Sequence, residues 1–118
     1  MTGYLPRHTP GDAITRTAGD DVIGGRLVDA TGAHADADST TVIGVAAKDT
    51  PEGFPFTVYS GGVQHLTAAS AVAVGDLIVA ADDGKIAAAG EEAAPTTIVG
   101  IALADGAADA DIDVKFLR

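Results

Sequence analysis

The chain has 118 residues, with 17 acidic and 7 basic side chains that give a formal net charge of −10, and no cysteine. This length predicts one domain, and the charge argues against nucleic acid and anionic membranes as partners, because both attract basic surfaces. The lack of cysteine excludes disulfides, thiolate metal sites and cysteine catalysis.

The amino-terminal segment "MTGYLPRHTP" differs from the rest of the chain, because it holds two prolines and lacks strand alternation. We expect an extended arm over residues 1–10, followed by a single β domain over residues 11–118. Such an arm docks onto a partner at a lower entropic cost than a Gly/Ser tail, whereas the alternative is a disordered terminus. The arm residues expected to contact a partner are Tyr4, Leu5, Pro6 and Arg7.

Short runs rich in branched side chains recur along the remainder of the chain and are separated by turn clusters such as "AGDD", "KDTPEGFP" and "ADDG". Gly or Pro interrupts most windows that are long enough for a helix. This pattern predicts an all-β fold, a small compact barrel or sandwich of about nine short strands. The predicted strands are residues 13–17, 25–29, 41–47, 56–60, 63–66, 76–81, 85–88, 97–103 and 111–117.

Two tight turns are predicted from glycine-containing pairs. Gly61-Gly62 stands between two strand-like runs and is expected to close a hairpin, because a two-residue turn needs positive φ. Asp83-Gly84 is expected to close a second hairpin, between residues 77–81 and 85–88.

The heptad "TTVIGVA" at 40–46 returns as "TTIVGIA" at 96–102. Upstream of these heptads, "VIGGRLV" at 22–28 matches "AVGDLIV" at 73–79. Self-similarity of this kind indicates a structural unit used twice, and two small sheets with pseudo-twofold symmetry would explain it; chance is the alternative in a chain so rich in Ala, Gly and Val. A glycine inside each heptad predicts a bulge, a barrel corner or a close backbone contact.

The sequence gives only weak signals for catalytic or metal-binding groups. Asp109, Asp111 and Asp113 alternate as in a calcium loop, but Val114 stands where that loop needs glycine, so we expect a strand with its acids facing water. His8, His34 and His65 lack the spacing of metal ligands, and none of the serines has the Gly-x-Ser-x-Gly frame. The sequence therefore predicts no catalytic residue, no metal, no cofactor and no enzymatic activity.

The core is expected to be thin, because the chain has only three Phe, two Tyr, one Met and no Trp. Each Å² of buried apolar surface contributes only about 25 cal/mol. We therefore expect an oligomer or a protein bound to a scaffold.

Six segments together resemble the small capsid decoration (head cement) proteins of tailed phages. They are "PGDAITRTAG" (10–19), "TVIGVAAKD" (41–49), "FTVYSGGVQHLTAAS" (56–70), "AVAVGDLIVAADDGKI" (71–86), "TTIVGIALADG" (96–106) and "ADIDVKFL" (110–117).

The resemblance implies a non-enzymatic virion protein, made in the host cytoplasm and located on the outer surface of the capsid. It also implies binding to the major capsid protein as a homotrimer, which stabilises the head against internal DNA pressure.

Two other functions stay open at this point. "VGDLIV" followed by "DDGKI" is similar to lipoyl and biotinyl carrier barrels, in which Lys85 would be the modified residue. A carbohydrate-binding head adornment would use Tyr4 and Tyr59.

Overall fold

The computed structural model describes residues 13–91 and 93–117, and these form nine strands and two single-turn 3₁₀ segments without an α-helix. The all-β prediction is confirmed, and each of the nine predicted strands is present. Among the described residues, no helix is long and apolar enough to cross a membrane. The strands are β1 (Ile14–Thr17), β2 (Leu27–Asp29), β3 (Val42–Ala46), β4 (Pro55–Tyr59), β5 (Val63–Thr67), β6 (Leu77–Ala80), β7 (Ile86–Ala88), β8 (Ile98–Ala102) and β9 (Asp111–Phe116).

The strands form two antiparallel sheets with the same internal order. The first sheet has the order β1-β4-β3-β2 and the second has the order β5-β9-β8-β6-β7. Each strand of the first sheet therefore has a counterpart in the second, and β7 is an addition at one edge. We call β1–β4 with their loops the first repeat, and β5–β9 with their loops the second repeat.

The two heptads form β3 and β8, which occupy equivalent places. Val28 lies opposite Gly44 in the first sheet and Ile78 lies opposite Gly100 in the second, and both pairings are followed by a register shift. A Cβ atom at Gly44 would collide with the carbonyl oxygen of Tyr59. Gly100 has the same relation to the carbonyl oxygen of Lys115. The predicted close backbone contact is therefore confirmed, since neither strand leaves room for a side chain.

The duplication extends to the loops. The Gly24 amide donates to Asp49 Oδ1 at 2.8 Å in the first repeat, and the Val74 amide donates to Asp105 Oδ1 at 2.7 Å in the second. Main-chain hydrogen bonds join Val22 to Thr50 in both directions, and Val72 is joined to Gly106 in the same way. The predicted internal duplication is therefore a property of the whole fold and not a chance match of two heptads.

One of the two predicted hairpins is wrong. Gly61 and Gly62 do have positive φ angles of 69° and 65°, but the strands on either side lie in different sheets. β4 is held between β1 and β3, and β5 pairs with β9, so each strand is paired within its own repeat. The glycines turn the chain from one sheet to the other.

The hairpin at Asp83-Gly84 is confirmed. These residues have φ angles of 59° and 72°, as a type I′ turn requires, and they join β6 to β7 with Ala80 opposite Ile86.

The two sheets pack against each other through different faces. We call the face of each sheet that carries Val28 or Ile78 its inner face, and the opposite face, which carries Leu27 or Leu77, its outer face. The outer face of the first sheet packs into the core of the second repeat through Leu27, Val42 and Val45. Burial of each such side chain contributes roughly 1.5–3 kcal/mol.

The inner faces of the two repeats have matching cores. Six buried residues of the first repeat correspond to six of the second: Ala18 and Ala68, Val22 and Val72, Val28 and Ile78, Ala46 and Ala102, Phe56 and Ile112, and Val58 and Val114.

Candidate interaction surface

The outer face of the second sheet keeps apolar side chains that no other sheet covers. Leu77 corresponds to Leu27 of the first repeat, but its exposed fraction is 47% against 0% for Leu27. Ile98 and Ile101 correspond to the buried Val42 and Val45, and both are only half-buried. The difference arises because the first sheet has the second repeat against its outer face.

Strand register places these side chains next to one another. Leu77 lies opposite Ile101, Ile101 opposite Lys115, and Lys115 opposite Val63, so the four form one row across the sheet. Val63 is 55% exposed. Side chains alternate between faces along a strand, so Leu103 and Leu117 lie on the same side, and both are exposed. We call this surface the apolar face: Val63, Leu77, Ile98, Ile101, Leu103 and Leu117.

The inner face of the first sheet provides a comparison, because the other repeat does not pack against it. Leu66 and Phe116 are buried on the inner face of the second sheet, where the first repeat covers them. Their counterparts in the first repeat are Arg16 and Ser60. Arg16 is exposed and donates a hydrogen bond to the Ala30 carbonyl at 2.7 Å. The exposed position there is therefore charged, whereas the apolar face keeps large aliphatic side chains beside the charged Lys115 and Asp113.

A cluster of exposed large apolar side chains, adjacent on one sheet, is typical of a protein–protein contact surface. Scattered single side chains would need no such explanation, because exposed apolar residues are common. The register and the comparison with the first repeat therefore make the apolar face the candidate functional surface. The predicted strands included these residues, but their alternation did not show which of the two sheet faces would be covered.

The predicted partner contacts Tyr4, Leu5, Pro6 and Arg7 lie outside the described residues. The structure does place the other candidate groups. His65 Nδ1 lies 2.7 Å from Asp113 Oδ1 in an exposed cross-strand pair, and His34 Nε2 accepts a hydrogen bond from the Ile23 amide at 2.8 Å.

These two histidines lie in different repeats and have separate partners. Within residues 13–91 and 93–117 there is no group of three or more His, Cys, Asp or Glu side chains placed to hold a metal ion.

The predicted alternation of β9 is confirmed. Asp111 and Asp113 are exposed. Asp109 precedes the strand in a turn with a φ of 66°. Between the two strand acids and after them, three apolar side chains point inward: Ile112, Val114 and Phe116.

Lys85, the residue that a carrier barrel would modify, follows the Asp83-Gly84 turn. Its ammonium group lies 3.2 Å from Asp109 Oδ1, and its side chain is only 28% exposed. The side chain therefore lies against the neighbouring loop and does not project from the tip of the hairpin. Tyr59, the described aromatic residue of the carbohydrate hypothesis, is 46% exposed and lies opposite Val45.

An all-β chain with a duplicated sheet and an exposed apolar sheet face has the features of a structural protein that binds other proteins. The comparison with known families is specific: the model of the phage cement protein family matches residues 8–117. The chain belongs to the phage cement protein family and is a phage structural protein, as the sequence resemblance predicted.

A solved structure has the same fold. The head fiber gp8.5 N base in bacteriophage phi29 matches with a TM-score of 0.71 and 22% sequence identity, over 89% of this chain and 92% of that chain. Among curated proteins there is no match.

Proposed function

We propose that the protein is a non-enzymatic cement protein that binds the outer surface of the phage head and stabilises the capsid lattice against internal DNA pressure. Family membership supports this function, and the apolar face is the structural observation that carries it, because an uncovered apolar sheet face needs a protein partner. A protein that binds only the assembled, expanded lattice stabilises that state by mass action.

The proposed partners are the major capsid protein and further copies of this chain, as a homotrimer. Three copies joined together multiply weak contacts with the lattice, since the second and third contacts become intramolecular. The net charge of −10 keeps a densely decorated particle soluble.

The proposed capsid contacts are in the amino-terminal arm, residues 1–10, through Tyr4, Leu5, Pro6 and Arg7. In this proposal residues 11–118 form a single β domain, which supplies the trimer and carries the arms. Two prolines in the arm restrict its backbone and reduce the entropy lost on docking.

The function is tested by adding the purified full chain to expanded heads that lack it. We expect saturable binding, measured by cosedimentation and by imaging, and a higher temperature of DNA release from the decorated heads. Unexpanded heads are the control and should not bind the protein. Failure to bind expanded heads at micromolar concentration would contradict the proposal.

The arm is tested by deleting residues 2–9. The shortened chain should keep the circular dichroism spectrum and the oligomeric state of the full chain but lose binding to heads. A shortened chain that saturates heads as the full chain does would show that the arm makes no essential contact.

A further inference from the structure

We propose, independently of the function above, that His34 is a pH-sensitive switch that holds or releases part of the loop 18–26. The neutral imidazole ring holds the loop by accepting a hydrogen bond from the Ile23 main-chain amide. The protonated ring releases this amide. We call the loops 18–26 and 47–55 the first corner, and their counterparts in the second repeat the second corner.

The contact between His34 and Ile23 requires a neutral ring. His34 follows β2, is half-buried, and has its Nε2 atom 2.8 Å from the Ile23 amide nitrogen. A main-chain N–H group can only donate, so Nε2 presents its lone pair and the ring proton is on Nδ1. An imidazolium ring has a proton on both nitrogens and cannot accept this bond. Protonation of His34 therefore breaks the contact.

The second repeat satisfies the equivalent amide with a different acceptor. Ala73 corresponds to Ile23, and its main-chain amide donates to Asp76 Oδ2 at 3.0 Å. Arg26 stands in the first repeat where the second has Asp76, and a guanidinium group has no acceptor. The first corner therefore needs an acceptor from another part of the chain, and His34 provides it.

Strand register shows that the histidine belongs to the first repeat alone. Val28 lies opposite His34, and its counterpart Ile78 lies opposite Ala88. The first repeat thus has Arg and His at the two positions where the second has Asp and Ala. Aspartate ordinarily titrates at about pH 4, whereas histidine ordinarily titrates between about pH 5 and 8. The loop contact of the first corner is therefore the one that changes near neutral pH.

The surroundings of the ring offer partners to its protonated form. His34 lines an open depression of about 550 Å³. Charged side chains from both loops of the first corner and from the turn between β6 and β7 line the same depression. They are Asp20, Asp21, Arg26, Glu52 and Asp83. The four carboxylates are acceptors for the second N–H group that protonation gives the ring.

The positive charges of the first corner have other partners or positions. The Arg26 guanidinium group donates to the Asp83 main-chain carbonyl at 3.3 Å. Lys48 lies beside Gly24, as does Asp49, and neither lines the depression that holds the ring.

Release of the Ile23 amide leaves the rest of the loop attached. Val22 and Thr50 stay joined by main-chain hydrogen bonds in both directions, and the Gly24 amide stays bonded to Asp49 Oδ1. These contacts lie on either side of Ile23, so protonation should change the loop locally and leave both cores intact.

The amides of Ile23 and Ala73 provide the measurement and its internal control. Hydrogen exchange of the full chain is followed by NMR at about pH 7.5 and about pH 5, with each rate corrected for the intrinsic rate at that pH. We expect the protection of the Ile23 amide to fall roughly fivefold to tenfold in acid, as the loss of one hydrogen bond predicts. Imidazole nitrogen shifts should show protonation of Nε2 in the same range. The protection of the Ala73 amide should change less than about twofold, because Asp76 keeps its charge.

Exchanging the acceptors separates protonation of His34 from other effects of acid. His34→Ala should leave the Ile23 amide weakly protected at both pH values. Adding Arg26→Asp to His34→Ala gives the first corner the acceptor of the second, so protection should return and should no longer depend on pH. His65→Ala is the matched control, because His65 lies in the second sheet beside Asp113, and it should leave the pH dependence of Ile23 unchanged.

Three results would overturn the proposal. They are a ring that stays neutral at about pH 5, a protonated ring with the Ile23 amide protected as before, and a His34→Ala variant that keeps the pH dependence. None of these measurements involves phage heads, so failure of the switch would leave the proposed function as it stands.

Discussion

The first and second repeats have the same strand order, the same bulge positions and the same loop hydrogen bonds, yet they differ in which face is covered. The first repeat buries Leu27, Val42 and Val45 of its outer face and has the exposed Arg16 on its inner face, where the second repeat has the buried Leu66. The second repeat buries its inner face and leaves Leu77 of its outer face exposed, in a row with the half-buried Ile101 and the charged Lys115. The comparison shows that equivalent aliphatic side chains of the outer faces are buried in the first repeat but exposed or half-buried in the second. That difference is the evidence for a partner.

The largest expected effect comes from truncating Leu27, and truncation of its counterpart Leu77 provides the comparison. Leu27→Ala should lower the free energy of unfolding by about 3 kcal/mol, because Leu27 is fully buried between the sheets. Leu77→Ala should lower it by less than about 1 kcal/mol, because Leu77 is 47% exposed. Denaturant unfolding at concentrations where the chain is monomeric measures both. Equal losses would mean that the two outer faces are equally covered within one chain.

The two heptad glycines should respond alike. Gly44→Ala and Gly100→Ala should each cost about 2–3 kcal/mol, because the added methyl group collides with a neighbouring carbonyl oxygen in each sheet. Gly90→Ala is the control, since a Cβ there meets no atom within 4 Å, and it should change stability by less than about 0.5 kcal/mol. Thermal and denaturant unfolding measure the three variants. If one of the two heptad variants were as stable as the unchanged chain, the heptads would be alike in sequence but not in packing.

The corner carboxylates test whether the loops are equivalent in energy as well as in geometry. Asp49→Ala and Asp105→Ala should each cost about 1 kcal/mol, because each removes the acceptor of one main-chain amide. Asp49→Asn and Asp105→Asn keep an acceptor oxygen and should recover most of the loss. Unfolding free energies of the four variants decide the point, and a cost confined to one repeat would show that only that loop depends on its aspartate.

The smallest effect is expected at a cross-strand pair on the outer face. His65 and Asp113 occupy the place that Thr15 and Thr57 occupy in the first repeat. Replacing His65 and Asp113 by threonine should change the free energy of unfolding by less than about 0.5 kcal/mol, because a polar contact between two exposed side chains contributes little. A loss above about 1 kcal/mol in denaturant unfolding would show that this pair does more in the second repeat than its counterpart does in the first.

The strands, the Asp83-Gly84 turn and the alternation of β9 were predictable, because each depends on residues close in sequence. A close contact at Gly44 and Gly100 was one of three alternatives that a glycine inside a strand allows, and the carbonyl oxygens of Tyr59 and Lys115 decided it. The pairing at Gly61-Gly62 was not. A glycine pair specifies that the chain can turn with positive φ, but it does not specify whether the two strands pair with each other or with strands elsewhere. Here β4 and β5 are each paired within their own repeats, and the local signal was overridden.

The candidate surface was beyond prediction for a related reason. Leu27 and Leu77 begin equivalent strands and have the same local pattern, so nothing near them indicates which is buried. The outcome depends on how the second repeat packs against the first, which is a contact between residues far apart in the chain.

Periodicity, turn residues and the repeated heptad were sufficient to specify an all-β fold, nine strands and a duplicated unit, because these features follow from local sterics and from alternation along each strand. Which strands pair on either side of the glycine link, which sheet face is covered and which is left exposed were decided by tertiary packing. Those choices depend on the apolar area that distant segments bury together, and no short stretch of the chain contains that information.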